Sequence, residues 1–217
     1  MSRSQSIEDY LKAIYKLQSL DEGGVSTSNL AKEMGVSNAS VTNMLKRLSK
    51  LGMVDYQSYY GTNLTKSGEK IALEMIRHHR LLELYLTEML GYSWDEVHDE
   101  AEKLEHYISE QFEDKIAELL NNPTVDPHGA PIPTKDGEMP ITTSRKLSNV
   151  EPAISCIVKR VKNQDGKTLR KLEQAGILPG VKVLVVKKDE EADCLHLEVE
   201  GQNTVIKNSL AAQIFVV

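Results

Sequence analysis

Two cysteines, one tryptophan and two phenylalanines are few for a chain of 217 residues. Each shortage closes off a class of protein. Cys156 and Cys194 each sit inside a β-like apolar run, which predicts thiols in a reducing compartment rather than a disulfide framework. Beyond residue 150 the sole aromatic is Phe215, so that region lacks the aromatic groove that proline-rich ligands require. Long hydrophobic runs are also missing. Lys, Glu or Asp interrupts every apolar stretch well short of the roughly 18 residues that a membrane-spanning helix needs. The first residues, Met1 to Ile7, contain no apolar signal-peptide core. The expectation is a cytoplasmic protein with no membrane partner. There is no His-Glu-x-x-His, no phosphate-binding loop, no glycine-rich nucleotide turn and no Ser/His/Asp order. No enzyme and no small organic substrate are therefore expected. A metallohydrolase using the Glu and His residues described below is the rival from that class.

What is present is charge, unevenly placed. The net charge of −6 averages over three regions. Residues 1–75 hold 9 Lys/Arg against 8 Asp/Glu, residues 76–130 hold 4 against 13, and residues 131–217 hold 13 against 11. An acidic centre flanked by near-neutral ends suits a cation-binding middle attached to a DNA-reading end, because the local field matters more than the sum.

Along the chain, Ile7, Tyr10, Leu11, Ile14, Leu17 and Leu20 recur at helical spacing until Asp21-Glu22-Gly23-Gly24 breaks the run. Ser26 or Thr27 caps a short helix ending at Gly35, and Ser37 caps a third through Val41, Leu45, Leu48 and Leu51. This is a helix-turn-helix pattern. Met53 to Tyr60, Gly61 and Asn63-Leu64-Thr65 read as a β-ribbon, which makes the motif winged. Amphipathic helices are predicted over about 69–90 and 93–120. Five of the seven prolines fall between Asn121 and Pro152, which predicts a partly ordered linker. Short strands then follow over 154–161, 181–187, 195–199, 204–206 and 214–217, with a helix over 167–175. A small β-barrel is the simplest closure. The predicted fold is mainly α, with domains at 1–72 (winged helix-turn-helix), 73–140 (helical metal-binding and dimerisation) and 141–217 (small barrel).

Glu102, Glu105 and His106 stand at i, i+3 and i+4 on a predicted helix, so their side chains share one face within reach of a single ion. His98 extends that face, and His79 with Glu83 forms a second i, i+4 stripe on the preceding helix. Facing Glu and His residues on paired helices are a recurrent way to build a metal site.

The stretches His79-Arg80-Leu81-Leu82-Glu83 and Val97-His98-Asp99-Glu100-Ala101-Glu102-Lys103-Leu104-Glu105-His106 resemble the metal-binding helices of the diphtheria-toxin-repressor family of iron- and manganese-dependent regulators. Asp126-Pro127-His128-Gly129 with Pro131-Ile132-Pro133 resembles that family's connector. Leu169 through Gly176-Ile177-Leu178-Pro179-Gly180 resembles its C-terminal SH3-like, FeoA-type domain. The resemblance implies a primary metal site of Asp9, Glu102, Glu105 and His106. It also implies an ancillary site of His79, Glu83 and His98, completed by Asp165 or by Asp126 and His128. Iron-type relatives place Met and Cys where this chain has Asp9 and Glu102. Hard oxygen ligands suit Mn²⁺, so manganese is the expected cofactor, with Fe²⁺ the alternative and other divalent transition metals accepted in vitro. Thr168 replaces a Gln of iron-type members, and Lys12 stands where small two-metal manganese regulators carry a bridging Glu.

The expected mechanism is electrostatic. Without metal, clustered carboxylates repel one another and keep the first helix from settling; a dication reverses the sign. The helix from Asn38 to Lys50 would enter the major groove. Ala39, Ser40 and Asn43 would face base edges, with Ser37 at the helix start, and Lys46, Arg47 and Lys50 would contact phosphates. Two such motifs in a homodimer imply a palindromic operator in double-stranded DNA.

Overall fold

The computed structural model describes residues 4–18, 24–57, 60–162 and 165–217. The chain divides into two compact units. One comprises Met1–His78, Glu105–Tyr107 and Pro133–Met139; the other comprises His79–Leu104, Ile108–Ile132 and Pro140–Val217.

In the first unit, α1 (Gln5–Gln18), α2 (Thr27–Met34) and α3 (Asn38–Lys50) precede a two-stranded ribbon of β1 (Val54–Gln57) and β2 (Gly61–Leu64). The predicted ends of the first helix at Leu20, its breaker at Asp21–Gly23 and the ribbon tip at Ser58 and Tyr59 lie outside the described residues. Ser26 caps α2 by accepting the Asn29 N–H, and Gly35 ends it at φ 63°. Ser37 caps α3 by accepting the Ser40 N–H. Leu11, Ile14, Leu30, Val41, Leu45 and Leu48 are fully buried together, so the apolar stripes of three short helices close one core. The ribbon is antiparallel, with Val54 opposite Leu64, and Val25 adds an isolated bridge to Thr62. Thr65 starts α4 (Lys66–Leu90), its hydroxyl accepting the Gly68 N–H at 3.2 Å while donating to Gly52 O at 2.8 Å.

The second unit departs from the expected single helix over 93–120. It contains α5 (Val97–Leu104) and α6 (Glu110–Leu119), and between them the chain leaves the helical path at Glu105–Tyr107. Ser109 enforces the restart by accepting the Phe112 N–H at 3.2 Å, as an N-cap does. Leu81, Leu82, Val97, Ala101, Ile116 and Ile132 form its helical core.

The proline-rich segment, expected as a partly ordered linker, is buried over part of its length. Asp126 and His128 through Pro133 are buried. Asp126 Oδ1 accepts the N–H groups of His128 and Ala130 at 2.8 and 2.9 Å, which closes a tight turn that Val125 and Pro131 flank as a bridge. Gly129, at φ 81°, approaches the strand β4 (Ser155–Val161) so closely that a Cβ would lie 2.0 Å from Lys159 O.

The C-terminal strands form one antiparallel sheet in the order β3-β8-β4-β5-β6-β7, where β3 is Arg145–Lys146, β5 Lys182–Asp189, β6 Cys194–Val199, β7 Gln202–Lys207 and β8 Ile214–Val216. The closed barrel predicted from strand count does not appear in this pairing, because β3 and β7 end the order and β3 is only two residues long. Register shifts at Val158/Arg160 and Val185/Lys187 bend the sheet. It covers a core of Val158, Leu169, Leu172, Ile177, Val183, Leu197 and Ile214, closed by α7 (Gly166–Gln174) and α8 (Asn208–Ala211). No helix among the described residues is long and apolar enough to cross a membrane.

Candidate metal centres and DNA-reading face

Among the described residues, three groups of side chains have metal-ligand chemistry, each with one donor atom per residue lying within 4.8 Å of the others. The first belongs to the first unit and gathers Asp9, Glu105 and His106. Asp9 comes from α1; Glu105 and His106 come from the turn that follows α5. His106 Nε2 lies 2.9 Å from Asp9 Oδ1 and 3.6 Å from Glu105 Oε1. Its other nitrogen, Nδ1, is 2.8 Å from Glu8 Oε2. Such a carboxylate behind an imidazole fixes ring orientation and leaves the opposite nitrogen aimed into the cluster. Glu8 was not anticipated from sequence, since nothing in the α1 periodicity separates it from an ordinary surface acid.

Burial pushes the Asp9 carboxyl above its usual range and the Glu105 charge adds to this, against the pull of His106 and Lys12. Lys12 Nζ pairs with Glu105 Oε1, and His106 bridges Glu8 and Asp9, so positive groups stand among the clustered carboxylates. His78, also unanticipated, is buried with Nδ1 3.2 Å from Glu105 O and secures the backbone of the same turn. Glu102 is exposed near the end of α5, and Glu105 and His106 follow in the turn after Leu104.

The other two groups lie in the second unit and share Glu83, which is fully buried on α4. Glu83 Oε1 lies 2.9 Å from His79 Nε2 and 3.0 Å from His98 Nδ1, and those nitrogens are 2.9 Å apart. Glu83 Oε2 faces His128 Nδ1 at 3.7 Å, beyond hydrogen-bond range, and Asp126 completes that triad. Burial alone would raise the Glu83 pKa, but His79, His128 and His98 hold it well below the ordinary carboxylate range. Asp126 is pushed up by burial and by the Glu83 charge, against His128 and Arg80. Burial works against protonation of His128, yet the Glu83 and Asp126 carboxylates raise its pKa above the usual value.

A divalent cation fits this second pair of groups. Glu83 Oε2 and Asp126 Oδ2 are buried side-chain oxygens with no hydrogen-bond partner among the described residues, although Arg80 Nε is 3.6 Å from Asp126 Oδ2. His128 Nε2 lies 2.8 Å from Trp94 O, and donation to that carbonyl turns the Nδ1 lone pair toward Glu83. The indole of Trp94 stacks on the ring with centroids 5.6 Å apart. Asp165, the other residue expected here, is exposed and caps α7 by accepting the Thr168 N–H at 3.0 Å. As an N-cap it satisfies a backbone donor in the first turn of α7.

On α3, Ala39, Ser40, Asn43, Lys46, Arg47 and Lys50 are all exposed, whereas Val41, Leu45 and Leu48 are buried. The helix therefore offers a polar, basic face on the side away from the core. Ser37 is exposed too, but its hydroxyl is engaged with the Ser40 N–H and hydroxyl at 3.2 and 2.9 Å.

A helix-turn-helix with a wing, joined in one chain to buried carboxylate–imidazole clusters, defines a metal-responsive transcription regulator. The profile of the iron-dependent repressor N-terminal DNA-binding domain matches residues 3–62, that of the iron-dependent repressor metal-binding and dimerisation domain matches 65–134, and the FeoA domain matches 145–217. The iron-dependent repressor IdeR of Mycobacterium tuberculosis (strain ATCC 25618 / H37Rv) is 31% identical over 192 residues, covering 82% of each chain. The HTH-type transcriptional regulator MntR of Lysinibacillus sphaericus is 35% identical over 115 residues, which is 53% of this chain and 81% of that one. A solved manganese-dependent transcriptional repressor in complex with manganese superposes with a TM-score of 0.89 at 36% identity, covering 97% of this chain and 99% of that one. The chain belongs to this family of metal-dependent transcriptional repressors, which are DNA-binding proteins and not enzymes.

Proposed function

We propose that the protein represses transcription by binding a palindromic operator as a homodimer when Mn²⁺ occupies the Asp9, Glu105 and His106 cluster. The observation that carries this reading is the convergence of Asp9 Oδ1, Glu105 Oε1 and His106 Nε2 from two separate segments of the chain. A bound dication would supply the positive charge around which two carboxylates and an imidazole can close. Asp9 then ties α1, which packs in the same core as α3, to the Glu105–His106 turn. Glu8 orients the imidazole. Oxygen-rich ligands favour manganese over metals that prefer sulfur, and selectivity over Cu²⁺ or Zn²⁺ rests on geometry and supply. Mn²⁺ is also the metal named for the solved repressor cited above.

Glu83 serves an ancillary cation with His79 and His98 or with Asp126 and His128. Asn43 and Ser40 read base edges, Ala39 touches a thymine methyl, and Lys46, Arg47 and Lys50 hold phosphates. The homodimer forms through apolar surface on α4–α6, where Leu90, Leu104, Phe112 and Leu119 are exposed. The functional partition is 1–72 for DNA, 73–140 for metal and dimerisation, and 141–217 for the FeoA-type sheet that supports the connector. The cytoplasm is the compartment in which such a regulator acts.

The test is a titration of chelator-treated full-length protein against operator duplex recovered by selection from random DNA. Mn²⁺, anaerobic Fe²⁺, Co²⁺ and Zn²⁺ are compared by fluorescence anisotropy. Mn²⁺ restores tight binding, and Glu105→Gln abolishes the response. Equal binding by metal-free protein overturns the reading, and a response to Fe²⁺ alone replaces manganese with iron.

A further inference from the structure

The first cluster already contains a tethered positive charge. Lys12 lies three residues after Asp9 on α1, so both side chains leave one face of the helix. Its ammonium pairs with Glu105 Oε1, and the two side chains are only 8% and 1% exposed. That same oxygen is the one 3.6 Å from His106 Nε2, which in turn lies 2.9 Å from Asp9 Oδ1. The ammonium and the converging donor atoms therefore share a single pocket. We propose that Lys12 is a resident competitor for the primary cation, occupying the charge position a dication would take and so setting the metal concentration at which the site fills. This rests on the reading of the cluster as a cation site.

Two physical consequences follow from burial. A surface Lys–Glu pair contributes almost nothing, because water screens it. Here Glu105 is almost wholly enclosed, and removing its partner would leave a buried, weakly compensated carboxylate, a costly arrangement. Lys12 thus supports the metal-free fold. A dication bound to the same oxygen would face an ammonium a few ångströms away in a medium that screens poorly. The ammonium must then leave Oε1, which its flexible four-carbon stem permits without moving α1. The metal-free state is stabilised and the loaded state penalised by one side chain, and both effects weaken apparent affinity.

Histidine and carboxylate ligands make a site; Lys12 decides how much metal is needed to use it. This assigns Lys12 a positioning and threshold role rather than that of a ligand. It also separates charge from shape, because arginine keeps the charge whereas glutamine and methionine remove it at similar length.

The experiment is isothermal titration of MnCl₂ into chelator-treated, full-length wild type, Lys12→Gln, Lys12→Met and Lys12→Arg, with thermal melts of each metal-free protein. The primary site is identified in every background as the binding lost on adding Asp9→Asn. Lys12→Gln binds Mn²⁺ at that site about tenfold tighter or more and melts lower without metal, as release from a nearby like charge requires. Lys12→Met keeps the aliphatic stem and provides the second neutral variant, with the same outcome. Lys12→Arg keeps wild-type affinity. Unchanged or weaker affinity in both neutral variants overturns the proposal. If Asp9→Asn alone leaves Mn²⁺ binding to the wild type intact, the cluster is not a cation site, and the functional reading fails first.

Discussion

Asp126 provides a sharp separation between holding the fold and holding a cation. Its Oδ1 accepts two buried backbone N–H groups at 2.8 and 2.9 Å, while its Oδ2 has no hydrogen-bond partner among the described residues. Asp126→Ala removes both bonds and leaves two enclosed donors unsatisfied. Hydrogen bonds to a charged acceptor contribute ~1.5–3 kcal/mol each and are not fully additive, so the expected loss for the metal-free protein is about 3 kcal/mol. Asp126→Asn keeps the carbonyl oxygen that closes the turn. It also removes a charge that burial and Glu83 disfavour, so the metal-free variant is as stable as wild type or slightly more so. With Mn²⁺ at one hundred times its dissociation constant, wild type gains about 2.7 kcal/mol by linkage. Asp126→Asn loses most of that gain, because a neutral amide is a poor substitute for a carboxylate ligand. The assay is guanidinium unfolding followed by fluorescence of Trp94, the sole tryptophan, which stacks on His128 beside the turn. If Asp126→Asn is as damaging as Asp126→Ala without metal, the turn depends on charge rather than on the two bonds. If the manganese-linked gain survives, Asp126 is not a ligand.

Glu83 and His128 set opposite limits on pH. Glu83 is held below its ordinary value of 4.5, so its contribution is complete above that pH and is lost as pH falls through the depressed folded value. His128 is raised above 6.5, so its contribution is complete below 6.5 and lost as pH rises through the raised value. Metal-free stability should therefore plateau between these two values in chemical denaturation, and a flat profile across pH 4 to 8 would refute the pairing. Because a cation at His128 must displace a proton, the calorimetric enthalpy of Mn²⁺ binding should vary with buffer ionisation enthalpy. Asn43→Ala is expected to weaken specific operator binding by ~1–3 kcal/mol while leaving random-sequence binding nearly unchanged, and an equal loss on both would assign Asn43 to phosphate. Gly129→Ala should lower stability by more than about 2 kcal/mol in thermal unfolding, since the residue is at positive φ and its new Cβ would collide with Lys159 O.

The N-terminal reading was accessible from sequence because its signals are local. Ser26, Gly35 and Ser37 mark helix ends by short-range hydrogen bonds and backbone conformation, and Leu30, Leu45 and Leu48 repeat at helical spacing. The strand at Ser155–Val161 and the helix at Gly166–Gln174 were legible for the same reason. The interruption at Glu105–Tyr107 was not, because acidic and apolar residues continue there at plausible helical spacing; only the Ser109 cap betrays it. The burial of part of the proline-rich segment was hidden too, since proline content signals irregular backbone but not whether that backbone is buried. Sequence left Asp126, His128 and Asp165 as equal companions for Glu83. Packing distinguishes them, bringing the first two together and giving Asp165 a capping task that sequence spacing also fitted.

The connector's seat on β4 has an architectural consequence. His128 O accepts the Val161 N–H at 2.9 Å, and Gly129 lies directly against the carbonyl of Lys159. The C-terminal sheet is thus a buttress for an imidazole thirty residues upstream. A protein shortened to end ahead of residue 145 would retain Glu83, Asp126 and His128 in its primary structure but lose the wall that aims one of them at the others. The presence of candidate ligands alone would then be an unreliable guide to how many ions such a truncated regulator can keep.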